Sequence, residues 1–236
     1  NNGFYFRTKL SSGSTTITNF TIQELTGLVA AYSFSPETVS NGTLIDISGN
    51  GNHGTINGAL LTKEGMKFDG VKDYINLSAS NLVDVTKPFT FCWRGNSNTL
   101  DGVILNSIAT NNKFSIIYAT SQIKAAIYDG AIKGLASISV IDTKTHDVVY
   151  TWDGTNGYLY VDGVKATGTD SIGFSAVTGT KMGSSPTPSS FHSGDMTDAK
   201  LYNYAFTPAQ AKAYHNSFIK PVLIESFENY AVGDDL

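Results

Sequence analysis

The 236-residue sequence contains a single cysteine, Cys92, so no disulfide can form within the chain. Cys92 lies in the apolar run PFTFCW, which is typical of a small buried hydrophobe rather than a reactive thiol. No apolar stretch approaches the ~20 residues that a membrane-spanning helix needs. The sequence therefore predicts neither a disulfide scaffold nor insertion into a membrane.

Charge is also sparse. Charged residues make up 15% of the chain, and 20 acidic residues against 16 basic ones give a net charge of −4. The lysines and arginines form no basic run, and a nucleic-acid ligand would need such a run to neutralise its phosphates. Nucleic-acid binding is therefore not predicted.

The sequence has few of the carboxylates that glycosidases use. Such enzymes place two carboxylates about 5–10 Å apart across the sugar bond, yet no glutamate occurs between Glu64 and Glu225. Asp129, Asp153 and Asp162 each precede a glycine, which is typical of turns. The nucleophile pattern G-x-S-x-G does not occur. These features predict a protein that is not an enzyme.

What the sequence does contain is a series of short β-like runs separated by Asn, Asp and Gly, such as HDVVYTWDG and GYLYVDG. This pattern predicts an all-β fold, a sandwich of two antiparallel sheets. The one clear helix signal is Thr207 as N-cap, Pro208 as first helical residue and then AQAKAYHNSF. We expect one short C-terminal helix that caps an end of the sandwich.

The chain divides into three parts. Residues 1–26 read as two strands joined by a Ser/Gly/Thr turn, and a hairpin of this kind is not stable alone in water. We interpret it as the terminal hairpin of a preceding β-sandwich module. Residues 27–220 form the main domain, and 221–236 are interpreted as a linker or the start of a following module.

Five segments within the main domain resemble a known family when taken in order. They are LVAAYSF, DISGNGNHG, MKFDGVKDYINL, WDGTNGYLYVDG and LYNYAFTPAQ. Together they resemble the laminin-G-like, concanavalin A-like domains of bacterial and phage multi-module proteins. The resemblance implies a jelly roll, neighbouring modules in the same chain, and a location that is extracellular or on the virion surface.

The segment DISGNGNHG raises the question of a structural Ca²⁺ ion. Asp46 and Asn50, with nearby backbone carbonyls, offer the oxygen ligands that Ca²⁺ prefers, and the resemblance implies that Asp198 completes the site. The alternative is a rigid turn whose Asx side chains bond their own backbone. The four histidines, His53, His146, His192 and His215, show no spacing typical of zinc ligands.

Sugar binding calls for aromatic faces and for amide side chains that pair with hydroxyl groups. The candidate ligand-binding residues are Trp93, Tyr118, Tyr128, Asn111 and Asn112, and Phe191 is a further aromatic residue. The alternative is that the aromatic residues belong to the core, because Phe89, Phe91 and Trp93 alternate along one strand face.

The functional hypothesis is a non-catalytic, lectin-like module of a larger extracellular or phage virion protein, recognising a cell-surface polysaccharide during host attachment. The rival hypothesis is a purely structural module of a phage tail fibre or capsid decoration protein that mediates assembly, for example as a homotrimer. The two hypotheses differ in whether the chain has a glycan ligand.

Overall fold

A computed structural model describes residues 27–77, 82, 86–108, 112–129, 132–168, 179–185 and 190–219. The hairpin predicted for 1–26 and the segment 221–236 lie outside these residues, so both interpretations stay predictions.

Nearly all the regular secondary structure in the described part of the chain is β-strand. In chain order they are β1 (Leu28–Ser33), β2 (Val39–Ser40), β3 (Thr43–Leu44), β4 (Gly54–Asn57), β5 (Leu60–Thr62), β6 (Gly65–Asp69), β7 (Tyr74–Leu77), β8 (Phe89–Gly95), β9 (Gly102–Ile108), β10 (Asn112–Tyr118), β11 (Gln122–Asp129), β12 (Ile132–Ser139), β13 (His146–Trp152), β14 (Gly157–Val161), β15 (Val164–Lys165), β16 (Gly179–Met182) and β17 (Ser193–Tyr202). A short 3-10 helix spans Pro36–Thr38, and α1 spans Pro208–Asn216.

The strands form two antiparallel sheets that pack into a sandwich. The first sheet has eight strands, in the order β15-β14-β13-β8-β17-β6-β5, with β1 also pairing with β17. The second sheet has nine strands, in the order β12-β11-β10-β9-β16-β7-β4-β3-β2. The predicted all-β jelly-roll sandwich is confirmed.

Strand β8 shows why the two layers form. Phe89, Phe91 and Trp93 alternate along it and face inward, where they join the large apolar cluster between the sheets. Cys92 lies on the opposite face, and it is buried too, in a second and smaller cluster. Since successive residues of a strand point to opposite sides, a strand that is apolar on both faces must be covered on both.

Helix α1 covers the outer face of β8. It begins as predicted, with the Thr207 side chain accepting a hydrogen bond from the backbone of Gln210. Ala211 and Tyr214 of the helix pack with Cys92 and with residues of β13, β14 and β17. The helix therefore lies on the outer face of the first sheet and does not cap an end of the sandwich, which corrects the expected position.

Candidate functional site

A cavity of about 360 Å³ opens at one end of the sandwich, where β6 ends and β9 and β17 begin. Strand β9 belongs to the second sheet and the other two to the first, so both layers contribute. We call this the polar cavity. It is lined by Asp69, Gly70, Thr99, Asp101, Gly102, Ser190, Phe191 and Ser193.

Backbone hydrogen bonds hold the loop after β8 against the start of β17. The amide of Asn98 donates to the carbonyl oxygen of Ser193 at 2.8 Å, and the amide of Asn96 donates to that of Asp195 at 2.9 Å. The Asn96 side-chain oxygen accepts from the amide of Asp195 at 3.0 Å. These bonds fix the loop that carries Thr99 and Asp101 beside Phe191 and Ser193.

The same loop contains an unusual backbone conformation. Leu100 has φ 52°, a left-handed value that is rare for a bulky side chain. Gly102 has φ 118°, and an added Cβ there would lie 2.6 Å from the carbonyl oxygen of Phe191. Only glycine permits this approach. Strained backbone of this kind clusters at ligand-binding loops.

Asp69 enters the polar cavity from a tight turn. Its Oδ1 accepts hydrogen bonds from the amides of Val71 at 2.8 Å and Lys72 at 3.0 Å. These bonds, led by that from Lys72, hold the pKa of Asp69 below its ordinary value. Asp69 Oδ2 makes no hydrogen bond to the residues that the structure describes. Asp69 therefore offers an ionised acceptor oxygen at the cavity wall.

The remaining lining groups are hydroxyls and one ring. Ser190 and Ser193 can each donate and accept a hydrogen bond, whereas the Thr99 hydroxyl donates to the Asp101 carbonyl oxygen at 3.1 Å and can still accept one. The side chain of Asp101 is exposed, and its Oδ1 accepts from the amide of Gly102 at 2.8 Å. Phe191 is only partly buried. This combination of hydroxyls, carboxylates and an accessible aromatic ring suits a small polar ligand with an apolar face.

Two of the predicted ligand-binding residues lie in the core. Trp93 is 0% exposed and Tyr118 is 1% exposed, and their ring centroids are 6.2 Å apart in an edge-to-face arrangement. Because neither ring offers a face to solvent, a stacking contact with a sugar is excluded for both in this structure. Periodicity placed Trp93 correctly on one strand face, and that face is the inner one.

The other three predicted residues are not brought to the polar cavity by any described contact. The backbones of Asn112 and Tyr128 form part of β10 and β11, which pair with each other. The side chains of these two residues and the whole of Asn111 lie outside the described residues. Their proposed contacts with a ligand stay predictions.

Sequence reasoning missed most of the residues that line the polar cavity. It counted Phe191 among the aromatic residues but gave no role to Asp69, Thr99, Asp101, Ser190 or Ser193. Short runs of Ser, Thr, Asp and Gly between strands were a weak signal, because most loops share that composition.

The predicted calcium ligands do not fit a shared ion. Asp46 is 4% exposed, and its oxygens accept from the amides of Ala31, Ser48 and Asn52 and from the Ser48 hydroxyl at 2.8–2.9 Å. Burial on its own raises the pKa of Asp46, but these hydrogen bonds outweigh burial and hold the pKa below its ordinary value. Every strong acceptor position of this carboxylate is already used inside the protein.

Asn50 and Asp198 are engaged elsewhere. The Asn50 amide nitrogen donates to the carbonyl oxygens of Leu28 and Val29. Asp198 accepts from the Lys200 ammonium and the Tyr214 hydroxyl, each at 2.9 Å. Strand β1 pairs with β17 along one edge and bonds the Asp46 loop along the other. This arrangement matches the alternative interpretation, a rigid turn, and calcium binding stays an untested prediction.

Comparison with known protein families identifies the same type of fold that the structure shows. The sequence model of the family described as the concanavalin A-like lectin/glucanases superfamily matches residues 69–212. A search of the curated proteins found no match for the chain. Among the part of the chain that the structure describes, no helix is long and apolar enough to cross a membrane.

Two solved structures illustrate the fold. Trypanosoma rangeli sialidase superposes with a TM-score of 0.65 at 18% identity, over 82% of this chain and 33% of the sialidase. The receptor binding domain of a botulinum neurotoxin C/D mosaic serotype gives 0.64 at 13% identity, over 81% of this chain and 51% of that domain. At such identities the likeness shows the fold alone, and the chain spans only part of each relative.

Proposed function

Because the chain belongs to the concanavalin A-like lectin/glucanase superfamily, we propose that it is a non-catalytic module that binds a polysaccharide in the polar cavity. The observation that carries this proposal is the cavity's lining of three hydroxyl side chains beside a partly exposed phenyl ring. Sugars present hydroxyl groups on their edges and C–H groups on their faces, and the lining offers a partner for each.

The negative charge of the residues that line the polar cavity indicates which glycans could bind there. Two carboxylates, Asp69 and Asp101, line the polar cavity, and among the described residues its lining contains no lysine or arginine. A cavity lined by one sign of charge repels ligands of the same sign. We therefore propose a neutral glycan or an amino sugar, rather than a sialylated or otherwise acidic one.

The named relatives support binding and leave hydrolysis as the competing activity. One is a receptor-binding domain, and the other is a sialidase, which is an enzyme. Two carboxylates in one cavity resemble the minimal set of a glycosidase. Such an enzyme needs a general acid of raised pKa, whereas backbone hydrogen bonds lower the pKa of Asp69. This supports a role for Asp69 in binding rather than in proton donation.

The setting of the module extends the same proposal. A sugar-binding cavity at one end of a sandwich suits a domain in a longer chain of modules that attaches a secreted protein or a virion to a cell-surface polysaccharide. The partners would then be the glycan and the adjacent modules.

A glycan array probed with the full chain tests the proposal. We expect binding to neutral or amino-sugar polysaccharides, weaker binding to their acidic counterparts, and no release of reducing sugar on prolonged incubation. Absence of binding to every glycan would overturn the proposal, and a homotrimer in solution would then favour the structural alternative. Hydrolysis that disappears in Asp69→Asn would instead identify an enzyme.

A further inference from the structure

A second cavity of about 360 Å³ lies on the outer face of the first sheet, beside the last turn of α1. Its charged walls come from β8, β13, the turn after β14, and the helix. We call it the charged cavity, and its charged or titratable lining residues used below are Arg94, Asp142, Lys144, His146, Asp147, Asp162 and His215. None of them was given a binding role by the sequence.

Three of these side chains converge. One ligand atom each from Asp147, Asp162 and His215 lies within 4.8 Å of the other two. The Nδ1 atom of His215 is 2.7 Å from Asp147 Oδ2. The three residues come from a strand, a turn and a helix that are far apart in the sequence, so only the folded chain assembles them.

The local structure fixes each of the three. Asp147 is 3% exposed and points outward from β13. Asp162 has φ 50°, a left-handed value in the tight turn that precedes β15. The two acids are linked directly, because the amide of Asp147 donates to Asp162 Oδ1 at 2.9 Å and the amide of Asp162 donates to the Asp147 carbonyl oxygen at 2.8 Å.

Neighbouring side chains orient the two carboxylates. His146 Nδ1 lies 2.7 Å from Asp162 Oδ2, and His146 Nε2 lies 3.0 Å from Asp142 Oδ1. Arg94 forms an ion pair with Oδ1 of Asp147, so His215 meets the other oxygen, Oδ2. Supporting hydrogen bonds of this kind are typical of the residues that surround a metal site and hold its ligands in position.

Carboxylates outnumber the lysine and arginine side chains in the charged cavity. Three carboxylates, Asp142, Asp147 and Asp162, face the Arg94 guanidinium and the Lys144 ammonium, which pairs with Asp142 at 3.4 Å. His146, which has one ring nitrogen against Asp162 and the other against Asp142, balances the remaining negative charge when it is protonated. Because Asp162 Oδ2 contacts His146 and Asp147 Oδ2 contacts His215, an ion that binds the three ligand atoms replaces these contacts.

We propose that Asp147, Asp162 and His215 form a zinc-binding site, with solvent as the fourth ligand. One imidazole with two carboxylates is a ligand set that Zn²⁺ and related transition metals accept. Ca²⁺ and Mg²⁺ prefer oxygen ligands alone. The site is separate from the polar cavity, and it does not depend on glycan binding.

The test is a zinc titration of the full chain after treatment with a chelator, followed by calorimetry and by thermal melting. We expect one equivalent of Zn²⁺ to bind and to raise Tm, because a ligand that binds only the folded state stabilises it. Replacing Zn²⁺ by Co²⁺ should give the visible absorption of a four-coordinate ion with nitrogen and oxygen ligands. Calcium should not compete.

Two variants and one control locate the site. Asp162→Asn keeps a residue that tolerates the left-handed turn, and His215→Gln keeps a polar side chain on the helix. Each should weaken zinc binding at least tenfold. His53→Gln removes an exposed histidine outside the cavity and should leave the titration unchanged. Absence of binding at millimolar zinc, or binding that persists unchanged in both cavity variants, would overturn the proposal.

Discussion

The polar cavity and the charged cavity have the same volume, about 360 Å³, but opposite chemistry. The polar cavity is made of loops joined by backbone hydrogen bonds, and its hydroxyls keep capacity for a ligand. The charged cavity is made of side chains that already pair with one another. The two cavities therefore differ in whether their hydrogen-bonding groups are already paired within the protein, and not in their volume.

The comparison also separates two uses of acidic residues. Asp69 offers one oxygen to its own turn and presents the other at the cavity wall. Asp147 is buried between the Arg94 guanidinium and the His215 ring. An exposed acceptor suits recognition of an uncharged ligand, whereas a buried paired carboxylate contributes to stability and needs a cation to replace any partner it loses.

The largest effect we expect is from Arg94→Met, which removes the cation that pairs with Asp147 in the charged cavity. Asp147 is almost fully buried, so loss of the pair should cost about 3 kcal/mol of unfolding free energy, measured by urea denaturation. Lys144→Met is the matched control, because its pair with Asp142 is exposed and should contribute about 0–1 kcal/mol. Equal losses in the two variants would contradict the distinction between them.

A substitution that strains the backbone beside the polar cavity should affect glycan binding as well as stability. Gly102→Ala forces a side chain onto φ 118° and against the carbonyl oxygen of Phe191. We expect a loss of about 2 kcal/mol together with loss of glycan binding, while zinc binding is kept. Gly49→Ala has a positive φ but open space around its Cβ, and it should lose less stability and keep both ligands. Unaltered glycan binding in Gly102→Ala would count against the loop geometry.

Acid should weaken the wall of the polar cavity through His192, which lies between Phe191 and Ser193. Its ring packs against Phe68 and Trp93, and burial lowers its pKa from 6.5 to about 4. Below pH 6.5 the unfolded chain binds a proton that the folded chain does not, so stability is complete above 6.5 and falls as the pH drops toward 4.

At pH 5.5 the shifted pKa of His192 should lower the unfolding free energy by about 1 kcal/mol relative to its value at neutral pH. The measurement is the unfolding free energy as a function of pH for the wild type and for His192→Phe. Subtracting one curve from the other removes the contribution of the titratable groups that the two proteins share. The wild type should lose more stability than the variant between pH 7 and 5. Parallel curves would show that His192 has the same pKa in the folded and the unfolded chain.

The smallest effect concerns calcium. Because the oxygens of Asp46 already accept four hydrogen bonds, we expect added CaCl₂ to leave Tm unchanged after treatment with a chelator. The same sample should respond to zinc. A rise in Tm with calcium that disappears in Asp46→Asn would restore the calcium site implied by the family resemblance.

The sequence predicted the architecture well because local patterns encode it. Alternation in PFTFCW gave the strand and the residues that share a face, and Thr207-Pro208 gave the start of the helix. Asp162-Gly163 was correctly interpreted as a turn, with both residues at positive φ. These features depend on residues that are neighbours in the chain.

The sites were harder because they depend on contacts across the chain. Alternation showed that Phe89, Phe91 and Trp93 share a face of β8 but did not decide between a core position and a ligand-binding one for Trp93, and the structure places it in the core. His215 meets Asp147 across 68 residues, a separation that no spacing rule covers. The polar cavity likewise joins the loop at Thr99 to the segment at Phe191, and only the folded sheets bring them together.

The most direct test of the account is the affinity of the full chain for its best neutral glycan, measured by calorimetry for the wild type, Phe191→Ala and Tyr158→Ala. Both variants remove a partly exposed aromatic ring, but only Phe191 lines the polar cavity. We expect Phe191→Ala to lower the affinity about tenfold or more, which corresponds to at least about 1.4 kcal/mol, and Tyr158→Ala to leave it unchanged. Equal affinity in the wild type and Phe191→Ala would contradict the assignment of glycan binding to the polar cavity.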